Sequence, residues 1–202
     1  MAFRRKLHHF WTRIRPISYW YFFALFIVSL LVGVYALRKN NLTMIQLRDM
    51  VIVADQQGGD TEKALRNLRE YVYSHMNTDL SSGPNAIKPP IQLKHRYDRL
   101  VEAEKKRVAD KNEQIYTKAQ EVCEQRFPVG SSGGSRIPCI EQYVTQNGVE
   151  GQAIPESLYK FDFVSPFWSP DLAGWSLVAS AIFLLLGLFR FGMERWVKSE
   201  LN

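Results

Sequence analysis

Two long runs without a charged side chain constrain the fold of this chain more than any other feature of its 202 residues. The first extends from Ile17 to Leu37 (21 residues), and the second from Leu172 to Phe189 (18 residues). As α-helices they would be roughly 31 and 27 Å long, close to the ~30 Å hydrocarbon core of a bilayer. The sequence therefore predicts two transmembrane helices, 17–37 and 172–189.

Aromatic residues with a polar edge lie near the ends of both runs. Such rings collect at the two membrane–water interfaces, where the ring meets lipid and its polar group meets water. The residues predicted to occupy these interfaces are Trp20, Tyr35, Trp168, Trp175 and Trp196. The lipid bilayer is accordingly the first predicted partner.

A cleaved signal peptide is the alternative to the first span. The basic start, the apolar run and the small-residue pattern Val34-Tyr35-Ala36 are all features of such a signal. A cleaved signal has an apolar run of about 7–15 residues, however, and this run is longer and crowded with aromatic rings. These features favour an anchor, while cleavage remains the alternative.

The positive charge of the chain lies in its two tails. Of the 26 basic residues, five precede the first run and three follow the second, where two of the 20 acidic residues also lie. The loop between the runs thus has 18 residues of each sign, which argues against nucleic acid as a partner. The short segments on the cytoplasmic side of a span carry an excess of Lys and Arg. We expect both tails, 1–16 and 190–202, to be cytoplasmic and the loop 38–171 to lie outside a plasma or inner membrane.

The first part of the loop, 38–146, is predicted to be an extracytoplasmic helical domain. An apolar seam continues the first span as a coiled coil that polar Asn40 interrupts; its members are Leu37, Met44, Leu47, Val51 and Ala54. Gly58-Gly59 ends this helix, and Asp60 is placed to cap the next one. Further helices are predicted over 61–76, 91–127 (after Pro89-Pro90) and 138–146. The predicted fold is mostly α, a three- to four-helix bundle between two spans.

The predicted third helix, 91–127, is the longest feature of the loop. Its expected inner stripe recurs at a helical period: Tyr97, Val101, Val108, Ile115, Ala119 and Val122. Its middle is crowded with charge, including Lys105, Lys106 and Arg107. Two hypotheses follow, a solvated face or a surface that binds a protein partner through these three residues.

The second part of the loop, 147–171, is rich in proline and aromatic residues. Pro155, Pro166 and Pro170 exclude a continuous helix. Between them Tyr159, Phe161 and Phe163 alternate as in a short strand, although no partner strand is visible. We expect this segment to lie along the outer surface of the membrane.

The chain contains two cysteines, Cys123 and Cys139, on either side of a loop rich in glycine and serine. Helices that end and begin at this loop would bring the two thiols together, and an oxidising compartment would permit a disulfide. Closing a loop of about fifteen residues is worth roughly 3 kcal/mol in the chain-entropy model. The alternative is a pair of unrelated buried thiols. Their spacing is not that of zinc ligands.

Motifs that would indicate chemistry are not found in the sequence. It has no phosphate-binding P-loop, no nucleophile elbow and no zinc-protease helix. We therefore predict no catalytic residue, cofactor or metal site. Within the spans, Ser29 and Gly33, and also Ser176 and Ser180, are small residues four apart, a spacing that allows helices to approach closely.

The layout of stub, span, helical domain, span and stub resembles the extracytoplasmic four-helix sensor domains of bacterial receptors, in architecture alone. The sequence favours a scaffold or interaction protein, an accessory subunit of a cell-envelope complex that binds other proteins or itself. A sensory or ligand-binding domain that signals through a partner is the first alternative. An enzyme of unrecognised type is the second.

Overall fold

The computed structural model describes residues 18–81, 87–128 and 135–201. The predicted basic tail, 1–16, and the glycine- and serine-rich loop after Pro128 therefore lie outside the described residues. The described chain is mostly helical, as predicted, with five α-helices. They are α1 (Tyr19–Gln57), α2 (Thr61–Ser74), α3 (Lys94–Arg126), α4 (Arg136–Asn147) and α5 (Leu172–Leu201). Two short strands, β1 (Ile91–Gln92) and β2 (Lys160–Phe161), precede α3 and α5 respectively.

The helix α1 continues from the first apolar run into the loop without a break, as the sequence predicts. It ends at Gly58, whose φ of +67° lies in the left-handed region that favours glycine. The Asp60 carboxylate then accepts a hydrogen bond from the Lys63 amide at 2.9 Å and caps α2. The predicted glycine stop and aspartate cap are both confirmed.

The third helix begins later in the chain than the sequence predicts. Pro89-Pro90 does not open a helix at Ile91; α3 begins at Lys94, and the residues before it form β1. The residues after the prolines are held extended by pairing with another segment, and the Leu93 amide donates to the Tyr159 carbonyl at 2.9 Å. Ile91 pairs with Phe161 in an antiparallel ladder, so β1 is the partner that the predicted strand seemed to lack.

The predicted inner stripe of the third helix is partly buried along its length, since Val101, Val108 and Ile115 are half-buried. Ala119 and Cys123 are the buried residues of α3, whereas Val122 is half-buried and Tyr97 is 39% exposed. The period indicates the correct side of the helix, but most of the stripe is only half-buried.

The chain divides into two compact units. One comprises Met1–Ala54, Asp60–Ile87 and Asp162–Asn202, and thus contains α2, α5 and most of α1. The other comprises Asp55–Gly59 and Lys88–Phe161, and contains α3, α4 and both strands.

Two helices in the first unit, α1 and α5, are long and apolar enough to cross a membrane. They pack antiparallel, since Tyr19 contacts Phe191 with ring centroids 5.4 Å apart while Asn40, further along α1, contacts Asp171 before α5. Few residues of either apolar stretch are packed in a protein core: 11% are buried in that of α1 and 28% in that of α5.

Small residues allow α1 and α5 to approach closely. A Cβ atom added at Gly33 would lie 3.2 Å from the Leu177 Cδ2 and 3.5 Å from the Ser176 Cβ. Ser176 and Ser180 are both buried, and their hydroxyls bond to carbonyls of their own helix. The predicted role of these small residues in close helix packing is confirmed for Gly33 and Ser176.

Candidate functional site

A group of buried polar side chains lies midway along α1, beside the segment that precedes α5. We call the group formed by Asn40, Ser169, Asp171 and the segment 75–78 the polar junction. Asn40 is 7% exposed, and its side-chain amide donates to the Asp171 carboxylate at 2.6 Å. The residue that interrupts the apolar seam of α1 is therefore the one that binds the segment before α5.

Asp171 caps the N-terminus of α5. Its carboxylate also accepts hydrogen bonds from the Gly174 amide and the Ser169 hydroxyl, both at 2.9 Å. Partial burial by itself raises the pKa of this carboxyl, but the three hydrogen bonds and the nearby His75 ring outweigh that effect and lower the pKa below its ordinary value of 3.8. Asp171 is held as a carboxylate that accepts several hydrogen bonds.

The segment after α2 completes the polar junction. The Met76 amide donates to the Ser169 hydroxyl at 3.0 Å, and the Asn77 side-chain amide donates to the Leu37 carbonyl of α1 at 3.1 Å. Thr78 is fully buried, and its hydroxyl lies 2.7 Å from the carbonyl oxygen of His75. The His75 ring stacks on Tyr71 with centroids 4.1 Å apart. Hydrogen bonds therefore join α1, the end of α2 and the start of α5.

Within the polar junction, the side chains of Asp171 and Ser169 form hydrogen bonds with groups of the same chain. Among the described residues, no group of three or more His, Cys, Asp or Glu side chains is placed to hold a metal ion.

The predicted disulfide lies in the second unit. Cys123 of α3 and Cys139 of α4 are bonded, with their Cα atoms 6.0 Å apart, so this prediction is confirmed. Arg136 and Glu124 form an ion pair at 3.1 Å beside the bridge. The bridge joins the end of α3 to the start of α4 on the two sides of the loop.

One side of α3 holds the segment that follows α4. The Asn112 side chain makes two hydrogen bonds to the backbone of Val149, accepting from its amide at 2.8 Å and donating to its carbonyl at 3.1 Å. The Gln152 amide donates to the Glu104 carboxylate at 2.8 Å. This side of the helix is therefore already covered by the same chain.

The three basic residues proposed to bind a partner differ in what they contact. Arg107 makes two hydrogen bonds to Glu104, both at 2.7 Å. The Arg107 hydrogen bond and, less strongly, the Gln152 amide lower the pKa of the Glu104 carboxyl to about 2. Lys105 and Lys106 are exposed. Arg107 therefore belongs to the group that holds Gln152, and the two lysines are accessible.

Asp55, whose role the sequence did not reveal, connects the end of α1 to the start of α3 within the second unit. Its buried carboxylate accepts from Arg99 at 2.8 Å and from the His95 amide at 3.0 Å. The sequence shows only that Asp55 is an acidic residue near a helix terminus. It does not show which helix this residue contacts.

The predicted interfacial aromatics form two groups along the pair of α1 and α5. Trp20 lies at one end of α1, near the contact with Phe191, and Trp196 follows on α5. Trp168 and Trp175 lie beside the polar junction with ring centroids 5.8 Å apart, and Tyr35 lies just before Asn40. All five rings are exposed.

Comparison with known proteins gives no relative. No protein-family model matches the chain, and neither a curated protein nor a solved structure is similar to it.

Proposed function

We propose that this protein is a membrane-anchored scaffold, an accessory subunit of a cell-envelope complex. In this proposal α1 and α5 cross the plasma or inner membrane, both tails are cytoplasmic, and the loop 38–171 forms an extracytoplasmic helical domain. The exposed side of α3 binds a protein partner or a second copy of the chain.

The membrane placement is supported by what surrounds the two apolar helices. Their exposed side chains are mostly apolar, which water disfavours and lipid accepts, and exposed aromatic rings stand at both ends of the pair. The excess of basic residues in the two tails supports the cytoplasmic placement of both termini.

The observation that carries the scaffold proposal is the exposure of α3. This helix has 33 residues, of which only Ala119 and Cys123 are buried. The disulfide fixes its C-terminal end to α4, and Asn112 and Glu104 hold one side against the following segment. The side that carries Lys106, next to a shallow cleft lined by Asp98, Arg99 and Glu102, is free to meet another molecule. Charged surfaces of this kind steer association and select partners.

A sensory domain is the second candidate, because the polar junction connects both apolar helices to the chain segment after α2. A change in that segment would reach both helices. The pairing of Asp171 and Ser169 with groups of the same chain favours the scaffold over a ligand-binding site.

The test compares two double variants that change the net charge equally. In Lys105→Glu/Lys106→Glu the accessible lysines are reversed, and Arg107 is kept because it holds Glu104. The control is Lys111→Glu/Lys118→Glu, on exposed positions of the same helix. After purification in mild detergent, we expect the first variant to lose most of its co-purifying protein and the control to retain it.

Circular dichroism and a non-reducing gel show whether each variant keeps its helices and its disulfide. If the folded Lys105→Glu/Lys106→Glu protein retains the same partners as the control, the scaffold proposal for this surface is wrong.

A further inference from the structure

The segment between Phe163 and Ser169 presents an apolar tip that no part of the described chain covers. Phe167 is 99% exposed and Val164 is 74% exposed. A single exposed apolar side chain needs no explanation, but here the exposed rings and chains continue through Trp168 onto Leu172 and Trp175 at the start of α5.

Both ends of this tip are fixed. Phe163 is 7% exposed and packs edge-on against Tyr73, with centroids 6.1 Å apart. Ser169 is 1% exposed and is held by the Met76 amide and by Asp171. The backbone of α5 packs so closely on the Ser169 carbonyl that a Cβ atom at Gly174 would lie 1.9 Å from its oxygen. Contacts at its two ends thus fix the tip, while Val164 and Phe167 between them are exposed.

We propose that Phe167 inserts into the bilayer as a third membrane contact beside α1 and α5; this inference rests on the proposed placement of those helices in a membrane. The occupant of the surface is lipid. The apolar surface of the tip is continuous with that of α5, which enters the bilayer at Leu172. The paired rings of Trp168 and Trp175 are of the residue type that occupies the membrane–water interface.

The distribution of charged residues around the tip also favours contact with a lipid surface. Residues 163–170 include no charged side chain, and Asp171 is held by hydrogen bonds from its own chain. Arg38 and Lys39 are exposed just before Asn40, the residue that binds Asp171, and are placed to meet lipid phosphates. The tip fixes the depth of the polar junction at the membrane surface.

The test places a fluorescent reporter at the tip. Both native cysteines are in the disulfide, so a cysteine introduced by mutation is the only free thiol for a nitrobenzoxadiazole label. Labelled Phe167→Cys is compared with Thr117→Cys, exposed on α3, and with Leu185→Cys, 65% exposed within the apolar stretch of α5. Each full-length protein is reconstituted into vesicles of phosphatidylcholine and phosphatidylglycerol.

We expect the label at 167 to emit at shorter wavelength than that at 117. It should lose most of its emission to nitroxides near the top of the acyl chains and resist aqueous iodide. The label at 185 should respond to nitroxides deep in the acyl chains. A label at 167 that iodide quenches as strongly as at 117 overturns the inference.

Two other outcomes separate the possible failures. If the label at 167 resists iodide but does not respond to lipid nitroxides, protein covers the tip and the inference is wrong. If the label at 185 also fails to respond to lipid nitroxides, the membrane placement in the proposed function fails with it. Because Phe167 is fully exposed, replacing it removes no packing on which the fold depends.

Discussion

At the scale of single residues, the pairing of Asn40 with Asp171 explains why a polar side chain interrupts the apolar seam of α1. A buried amide is costly when it is unpaired and favourable when it donates to a carboxylate. Asn40 is 7% exposed, and its side-chain amide donates to the Asp171 carboxylate at 2.6 Å. The buried amide therefore has a charged acceptor in the segment before α5. The interruption fixes the register between α1 and α5.

Replacing Asn40 by leucine should therefore destabilise the first unit, even though leucine has the same branched shape and the same number of side-chain heavy atoms. Asn40→Leu removes a donor from Asp171, and we expect a loss of about 1–3 kcal/mol in the free energy of unfolding. The control is Asn41→Leu, next to it, whose amide makes only a long hydrogen bond of 3.4 Å to Asn77. Denaturant unfolding in detergent micelles measures both. Equal losses in the two variants would show that the pairing adds no stability.

At the scale of elements, close backbone contact decides where α5 begins. The Ser169 carbonyl lies against the first turn of the helix, at a place where only the hydrogen atom of glycine fits. The same principle operates between the helices, where Gly33 lies against Ser176 and Gly187 lies against Phe23. Small residues thus set the distance between α1 and α5.

The first-turn contact predicts different effects for two glycines of one helix. Gly174→Ala forces the segment before α5 to shift, and we expect it to cost roughly 1–3 kcal/mol or more, as overpacking does. Gly192→Ala adds a methyl group with nothing within 4 Å, and it should be neutral or stabilise the helix by up to about 1 kcal/mol. Thermal unfolding followed by circular dichroism distinguishes them. A Gly174→Ala protein as stable as the wild type would show that the segment yields without cost.

At the scale of the whole molecule, the distribution of charge and the disulfide both support the proposed orientation in the membrane. Basic residues are in excess in both tails, and the disulfide of the second unit needs an oxidising compartment to persist. Both features favour cytoplasmic tails and an extracytoplasmic loop.

This orientation predicts which introduced cysteine a membrane-impermeant maleimide reaches in intact cells. We expect Thr117→Cys on α3 to be labelled, and Ser199→Cys near the end of α5 to be labelled only after the membrane is permeabilised. The native cysteines give no background because they are bonded to each other. The reverse pattern would contradict the orientation, and labelling of both positions in intact cells would contradict the two-span arrangement.

The features that the sequence determined by itself are local ones. The length of the apolar runs, the glycine that ends α1, the Asp60 cap and the Cys123–Cys139 pair all depend on residues close together in the chain. Hydrophobic length and capping act over one or a few helical turns, so their effect can be worked out without knowing the fold.

The tertiary structure alone decided which distant polar groups meet. Asn40 and Asp171 are 131 residues apart in the chain, Met76 and Ser169 are 93 apart, and Asn112 and Val149 are 37 apart. A periodic pattern reports that a side chain is buried, but not which donor or acceptor will face it. For the same reason the alternation of Tyr159, Phe161 and Phe163 indicates a strand but not its partner, and the helix predicted to begin at Ile91 begins at Lys94. The partner of an extended segment is fixed only when the chain between them has folded.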